Sequence, residues 1–383
     1  MSQLNVDAIR SANGTGDAIS LAAASNTCTA NITNIPGRNL IQNGSFNIWQ
    51  RGNGPYTIAY SYTADRWTRD FSLNGSDYFH IEKKTESPPE FSSSLEVSFG
   101  TAQASIGAAQ YAFIRQKIEA QNLQHLAYGT SSAKKMTLSF WVRSTETGTY
   151  AINLQQGDNS NKQVSFNYSI SSADTWEKKS ISIPADTAGV INNDNGEGLN
   201  VTWWLCAGSN MTSGTLRNTA WTAYAAADQA VGHNVNLADN TSNTWYITGV
   251  QLELGEFVSD YCFESYGETL RKCQRYYQAW AAKHDIHMMP ARGESTDKCY
   301  VGVPLCVPIR AEPTVACASH RFYRSTTTSW SGSTTAPTIV GWTDASTRSP
   351  VISILASGHS ASNNEAGTWS PEGENLLSFD SEL

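Results

Sequence analysis

Short apolar runs separated by turn-rich polar stretches recur along most of the chain, and long amphipathic stripes are rare. Thr137-Leu-Ser-Phe-Trp-Val-Arg143 sets the pattern. Leu138, Phe140 and Val142 alternate with Thr137, Ser139, Trp141 and Arg143, the two-residue period of a strand with one face on a core. Val164–Ile170, Trp176–Ile183, Leu199–Cys206 and Trp245–Leu254 repeat it, with turns such as Asn192-Asn-Asp-Asn-Gly-Glu-Gly198 between them. Together these runs predict a jelly-roll-like antiparallel β-sandwich over residues 38–265. Within it, only Ala109–Gln124 reads as a helix candidate.

The flanks read differently. Leu4–Ile9 and Ala18–Leu21, on either side of Asn13-Gly-Thr-Gly16, predict a β-hairpin inside residues 1–37. So small a hairpin cannot bury enough apolar surface to stand alone. It docks on another chain, on copies of itself or on the next domain, or else it is a floppy leader. Past the sandwich the period changes. Tyr266, Leu270, Cys273, Tyr277 and Trp280 fall at spacings of four and three, predicting one short connecting helix over 266–284. Its stripe either packs on the sandwich or forms a seam between identical helices, making Leu270, Cys273, Tyr277 and Trp280 candidate oligomer-interface residues.

Residues 285–383 read as a smaller C-terminal β domain. Pro304, Pro308 and Pro313 confine its first strand, within 299–317, to an edge or a bend. Thr326–Thr335 reads as a Ser/Thr loop around Trp330, followed by strands at Ile339–Trp342 and Val351–Ala356 and a closing segment, Leu376–Leu383.

Charge narrows the partners. Charged residues make up 16% of the 383, against roughly 25% in average domains, and the net charge is −8 with a pI near 5.4. Nucleic acid and anionic membrane call for clustered Lys and Arg, so neutral ligands or proteins are the expected partners. No apolar run is long enough for membrane insertion, and Met1–Asn5 followed by Asp7 lacks the basic-then-apolar order of a secretory leader. The seven cysteines include no CxxC pair, which argues against zinc, while four of them between Cys273 and Cys317 leave room for one disulfide.

Catalytic spacing is missing. There is no GxSxG, phosphate-binding glycine loop or HExxH. Glu82, Glu90, Glu96, Glu119, Asp158 and Asp174 are scattered and read as surface carboxylates, and His284, Asp285 and His287 read as a polar helix end rather than a metal site. No catalytic residue, metal or cofactor is expected. Aromatics are more telling, with 12 Trp and 16 Tyr. Trp49, Trp67, Trp141, Trp176, Trp203, Trp204 and Trp245 are assigned to the core. Trp330 in its Ser/Thr tract, Tyr323 just before it and Tyr56 in a Gly/Pro-rich loop are the candidate ligand-binding residues, because sugars stack on exposed rings.

One family resemblance organises these readings. Asn39-Leu-Ile-Gln-Asn-Gly-Ser-Phe-Asn-Ile-Trp-Gln-Arg-Gly52, followed by Ala64-Asp-Arg-Trp67, resembles the opening of a β-sandwich domain common in bacteriophage tail fibre proteins. Lys134–Ser144, Trp245–Tyr277, Val303–Val315 and Asp380-Ser-Glu-Leu383 resemble that family's inner strand, closing strand with helix, and tail. The start, Leu4–Leu21, resembles attachment segments of phage appendages. The resemblance implies a homotrimeric virion protein assembled in the host cytoplasm. Its sandwich is similar to carbohydrate-binding modules; the arrangement expected from it joins the N-terminus to other virion proteins (adaptor, tail or capsid) and makes the C-terminal domain, residues 285–383 with the loops around Trp330, the tip that meets host cell-surface carbohydrate. A capsid decoration or fibre without sugar binding and a depolymerase tailspike are the alternatives. Many such modules hold calcium with acids in the final strand, yet the corresponding Ile247-Thr-Gly-Val250 has none.

Overall fold

The computed structural model describes residues 8–10, 17–22, 27–30, 37–57, 61–74, 79–281, 289–295, 297–324, 330–340, 351–359, 364–372 and 376–383. At the N-terminus three short strands, β1 (Ala8–Arg10), β2 (Asp17–Ala22) and β3 (Thr27–Ala30), pair antiparallel in that order. The expected hairpin therefore gains a third strand, from the Thr-Cys-Thr-Ala run that alternates too weakly to announce itself.

Two antiparallel sheets enclose the main core. One has six strands, β4 (Ser61–Tyr62), β5 (Trp67–Ser72), β8 (Tyr111–Glu119), β13 (Glu197–Ala207), β10 (Gly148–Gln156) and β11 (Lys162–Ile170), neighbours in that order. The other has five, β12 (Glu177–Ile183), β9 (Met136–Ser144), β14 (Thr244–Leu254), β7 (Ser94–Ser98) and β6 (His80–Lys84). Sequence neighbours β8 and β9 sit in opposite sheets, so the chain crosses the core between them. Alternation explains which side chains meet there: Leu138, Phe140 and Val142 of β9 are fully buried, facing Tyr150, Ile152 and Leu154 of β10 and Trp203 of β13 across one apolar cluster. Aromatic edges lock it, with Trp203 set 5.5 Å from Trp67 and 5.8 Å, edge-on, from Phe140. Gly44 is required by close approach, since a Cβ there would run into the Val250 carbonyl.

The expected helix at Ala109–Gln124 is instead β8 followed by a 3-10 helix, Ala120–Leu126. β8 lies between β5 and β13 with both faces covered: Ile114 and Ile118 enter the main core while Phe113 joins Trp204, Met211 and Ala230 outside it. A strand buried on both faces loses its period-two signature.

The expected helix over 266–284 is also shorter. After the one-turn helix α1 (Ser209–Thr212), helix α2 runs Tyr266–Gln274 behind a capping box in which Ser265 and Glu268 exchange bonds. The chain then turns into strand β15, Tyr277–Ala281, because Leu376–Asp380 (β24) supplies a partner more than ninety residues away that no local window contains. The predicted seam of Leu270, Cys273, Tyr277 and Trp280 is therefore not one stripe. Cys273 is fully buried on α2 and Leu270 is half-buried, while Tyr277 and Trp280 point to opposite sides of β15, Tyr277 under the Arg51 guanidinium and Trp280 edge-on to Phe379.

The C-terminal part builds a second core around Val301, Val303, Phe322, Ile354, Trp369 and Phe379. Its seven-stranded sheet orders β20 (Trp330–Ser333), β19 (His320–Arg324), β23 (Ala366–Pro371), β16 (Met289–Ser295), β17 (Lys298–Pro304), β22 (Val351–Ser357) and β21 (Thr338–Ile339), while β15, β24 and β18 (Thr314–Ala316) form a three-stranded sheet. Two expectations change here. Strand β17 is interior rather than an edge, tolerated because Pro304 is its last residue. Trp330 opens an edge strand rather than lying in a loop. Of the seven cysteines, Cys206, Cys262, Cys273, Cys299, Cys306 and Cys317 are free thiols. His284, Asp285, His287 and Trp342 lie outside the described residues.

The two cores are joined by buried charge. Arg66, 1% exposed, donates from Nε to Gln42 Oε1 at 3.0 Å, from Nη2 to the Lys117 carbonyl at 2.8 Å and from Nη1 to the Glu382 carboxylate, with its guanidinium 3.4 Å over the Tyr276 ring. Arg51 bonds Asp380 at 2.9 Å and lies 3.7 Å from the Tyr277 ring centre. Asp65 accepts from the Gln50 backbone, and burial lifts its pKa to about 6 against the pull of Arg51. Replacing Glu382 with Ala strands Arg66 without its counter-charge, so urea unfolding is expected to lose about 3–5 kcal/mol, with most of it recovered when Arg66→Met is added.

Candidate functional site

Each sandwich sheet has a face away from the core, and the two differ. On the six-stranded sheet that face carries the packed rings of Tyr111, Phe113 and Trp204 and polar side chains that the chain itself covers. Gln155 Nε2 donates to Gln229 Oε1 at 3.1 Å, Gln163 Nε2 to the Ala225 carbonyl at 2.8 Å, and the Arg217 backbone N–H to Ser165 Oγ at 3.0 Å. Those three side chains, Gln155, Gln163 and Ser165, are buried and committed within the chain.

The five-stranded face carries aromatics. Trp141 and Arg143 leave β9 on the side opposite Leu138 and Phe140, and the β14 register sets Tyr246 across from Arg143 and Thr248 across from Trp141. The Arg143 guanidinium sits 5.1 Å from the Tyr246 ring centre, and Trp176 meets the same ring edge-on at 6.2 Å. Asp174 Oδ1 accepts from Arg143 Nη2 at 3.1 Å. Trp141 and Trp176 are half-buried, and Lys178, which pairs with Trp141, is exposed. Burial, reinforced by Glu96, pushes the Tyr246 hydroxyl up to about 12, so it remains a neutral donor. The half-buried indoles of Trp141 and Trp176, beside a cation and a carboxylate, match what a sugar presents, C–H patches beside hydroxyls, while the buried Tyr246 spends its hydroxyl on Glu96. The core assignment of Trp141 and Trp176 is thus corrected, whereas Trp49, Trp67, Trp203, Trp204 and Trp245 are buried. Strand alternation already set Trp141 apart from the core face.

Of the three residues singled out by sequence, the structure brings two together. Tyr323 of β19 is the direct cross-strand partner of Trp330 on β20. Phe322 and His320 enter the core between them, and farther across the sheet the Arg292 guanidinium lies 5.6 Å from the Tyr300 ring centre. Tyr56 belongs to the sandwich instead, stacked on Trp49 at 6.3 Å with its hydroxyl on the Gly52 carbonyl.

Strand β20 is held from beneath by two buried histidines. His320 Nε2 meets the Thr335 carbonyl and His320 Nδ1 meets His359 Nε2, both at 2.8 Å; His359 Nδ1 contacts the Ser331 carbonyl at 3.0 Å. Trp369 Nε1 donates to His320 Nδ1 at 3.1 Å.

Two carboxylates expected at the surface are buried. Glu96 sits beside Tyr246, and Glu119 accepts from the Tyr276 hydroxyl at 2.7 Å and from Arg275 at 2.6 and 3.0 Å. Among the described residues no three His, Cys, Asp or Glu side chains converge as a metal site. Around Ile247–Val250 the polar groups are spent within the chain: Asn39 Nδ2 donates to the Val250 carbonyl and the Val250 N–H to Gly44. That donor set does not fit calcium.

No protein-family model matches the chain, and no curated protein matches it. Among solved structures it is similar to the enzymatically active domain of bacteriophage CBA120 tailspike protein 4, at 14% identity over 58% of this chain and 24% of that one, with a TM-score of 0.30. It is also similar to the C-terminal family 22 carbohydrate-binding module of Clostridium thermocellum Xyn10B, at 13% identity over 53% and 100% and a TM-score of 0.29. A third is TmCBM61 in complex with β-1,4-galactotriose, at 11% identity over 57% and 99% and a TM-score of 0.26. The chain thus spans about a quarter of the tailspike structure's length.

The histidine pair sets an acid response. Burial holds both pKa values below the usual histidine value of 6.5, His359 at about 4 with His320 adding repulsion, while Glu372 pulls His320 back only in part. The unfolded chain takes up protons first as pH falls below 6.5, so stability is lost on acidification from there toward 4. Hydrogen-exchange protection factors over 320–324 and 330–333 are expected to fall between neutral pH and pH 5 more than in β9, and His359→Phe should shrink that difference.

Proposed function

We propose that this chain is a subunit of a bacteriophage fibre or similar virion appendage. It joins the particle through its N-terminal strands and contacts a host cell-surface glycan. The glycan-binding part rests on one observation: the outward Trp141–Arg143–Tyr246–Trp176 cluster on an otherwise polar sheet. The appendage part rests on the resemblance of the Asn39–Gly52, Trp245–Tyr277 and Asp380–Leu383 segments to phage fibre proteins. Homotrimerisation belongs to the same reading, as does a binding rather than catalytic role. A second contact surface is favoured by the register that opposes Tyr323 and Trp330 at the edge of the C-terminal sheet.

Glycan-array and host-cell adsorption assays on the purified chain separate these surfaces. Loss of one stacking ring costs about tenfold in affinity. Trp141→Ala is expected to show that loss; the same loss in Trp330→Ala with Trp141→Ala unaffected would move the contact to the C-terminal edge. A blank array with a normal fibre would favour the purely structural alternative, and reducing ends released from host polysaccharide would favour the depolymerase. Light scattering is expected to give three chains per particle, and a stable monomer contradicts the appendage reading.

A further inference from the structure

Where the sandwich, α2 and the C-terminal part meet there is a cleft of about 550 Å³, within the size range of small-molecule sites. Its lining is unlike the rest of the molecule. Arg271, Lys272 and Arg275 enter from α2, His125 and Asn122 from the 3-10 helix, and Asn39 and Gln42 from the sandwich entry, over an apolar floor that includes Leu40, Val307 and Pro308. Among the described residues no Asp or Glu lines it, although the chain carries a net charge of −8. No aromatic lines it either, so it lacks the flat stacking face of the Trp141 cluster.

The cations are also positioned. Arg275 is gripped from behind by the buried Glu119 at 2.6 and 3.0 Å, which raises its pKa, and Lys272 is held by Glu264. These acids neutralise two of the three charges but lie outside the lining. Arg271 is exposed and, among the described residues, makes no hydrogen bond or ion pair, and the carboxylate it attracts on the same helix, Glu268, is bonded to Ser265. The lining therefore presents one unpaired guanidinium together with two fixed cationic side chains and the Asn122 amide. A planar carboxylate fits a guanidinium fork, and sugar hydroxyls fit the Asn122 amide, the Gln42 amide oxygen being held by Arg66.

We propose that this cleft binds a carboxylate-bearing saccharide, a uronic acid or similar acidic sugar unit, with Arg271 taking the carboxylate. The site is separate from the aromatic face and does not rest on it. A fibre meeting an acidic surface polysaccharide would then hold it at two chemically different points, one by stacking and one by charge.

Calorimetric titration of the full chain tests this with digalacturonic acid, its methyl ester and glucose 1-phosphate as probes. Digalacturonic acid is expected to bind and the uncharged ester not to bind. Binding should weaken with added salt and fall about tenfold in Arg271→Ala, with part regained in Arg271→Lys. Arg271 is exposed, so these variants are expected to unfold at the wild-type temperature. Trp141→Ala should bind digalacturonic acid as the wild type does, which keeps this site's failure distinct from that of the aromatic face. Equal binding of acid and ester, binding of neither, binding of the phosphate alone, or an Arg271→Ala protein that binds normally overturns the proposal.

Discussion

The buried contact between Arg66 and Glu382 is the constraint on which the architecture turns. A guanidinium that is 1% exposed has no water to fall back on, so its donors and its ring face must all be met by protein. They are met from four distant places: Gln42, the Lys117 carbonyl, the Tyr276 ring and the last-but-one residue of the chain. Satisfying one side chain thus fixes the sandwich entry, strand β8, the end of α2 and the C-terminus in a single arrangement. Arg310 repeats the device, donating to the Ser381 and Glu382 carbonyls at 2.7 and 3.0 Å and to the Asn195 carbonyl at 2.7 Å.

This changes the meaning of the motifs that carry the family resemblance. Asn39–Gly52 supplies Gln42 and Arg51, Ala64–Trp67 supplies Asp65 and Arg66, the stretch ending at Tyr277 supplies Arg275, Tyr276 and Tyr277, Val303–Val315 supplies Arg310, and Asp380–Leu383 supplies Asp380 and Glu382. Segments up to 331 residues apart converge on one junction. Their role is to join two cores, and they carry architecture rather than ligand choice. Of the surfaces proposed to touch glycan, those at Trp141 and at the Tyr323–Trp330 pair lie outside that junction, where side chains can vary without disturbing it, while the cation cleft borders it through Gln42 and Arg275.

How much was legible in the sequence follows the range of the forces. Strands β9, β11, β12, β13 and β14 were readable because apolar core-facing residues alternate along each with mostly polar ones, even where, as in β13 and β14, the other face is buried too. β8 was not, because the 208–235 segment covers its outer face and erases the period. The helix at Tyr266 was visible but its end was not, since Tyr277–Ala281 becomes a strand only through pairing with Leu376–Asp380. For the site, Tyr323 and Trp330 were readable as unusual aromatics and their pairing was a matter of register. Trp141 was discounted as core packing although its own strand's alternation placed it on the far face. The cation cleft left no local trace, because its walls come from four separate stretches of chain.

We propose that a host glycan rests on the aromatic face of the five-stranded sheet. Indole N–H signals of ¹⁵N-tryptophan-labelled protein, followed during titration with oligosaccharide from the host surface, test it most directly. The account predicts that the Trp141 and Trp176 signals move while those of the buried Trp67, Trp203 and Trp245 stay in place. Stationary Trp141 and Trp176 signals with saturating oligosaccharide bound would contradict it.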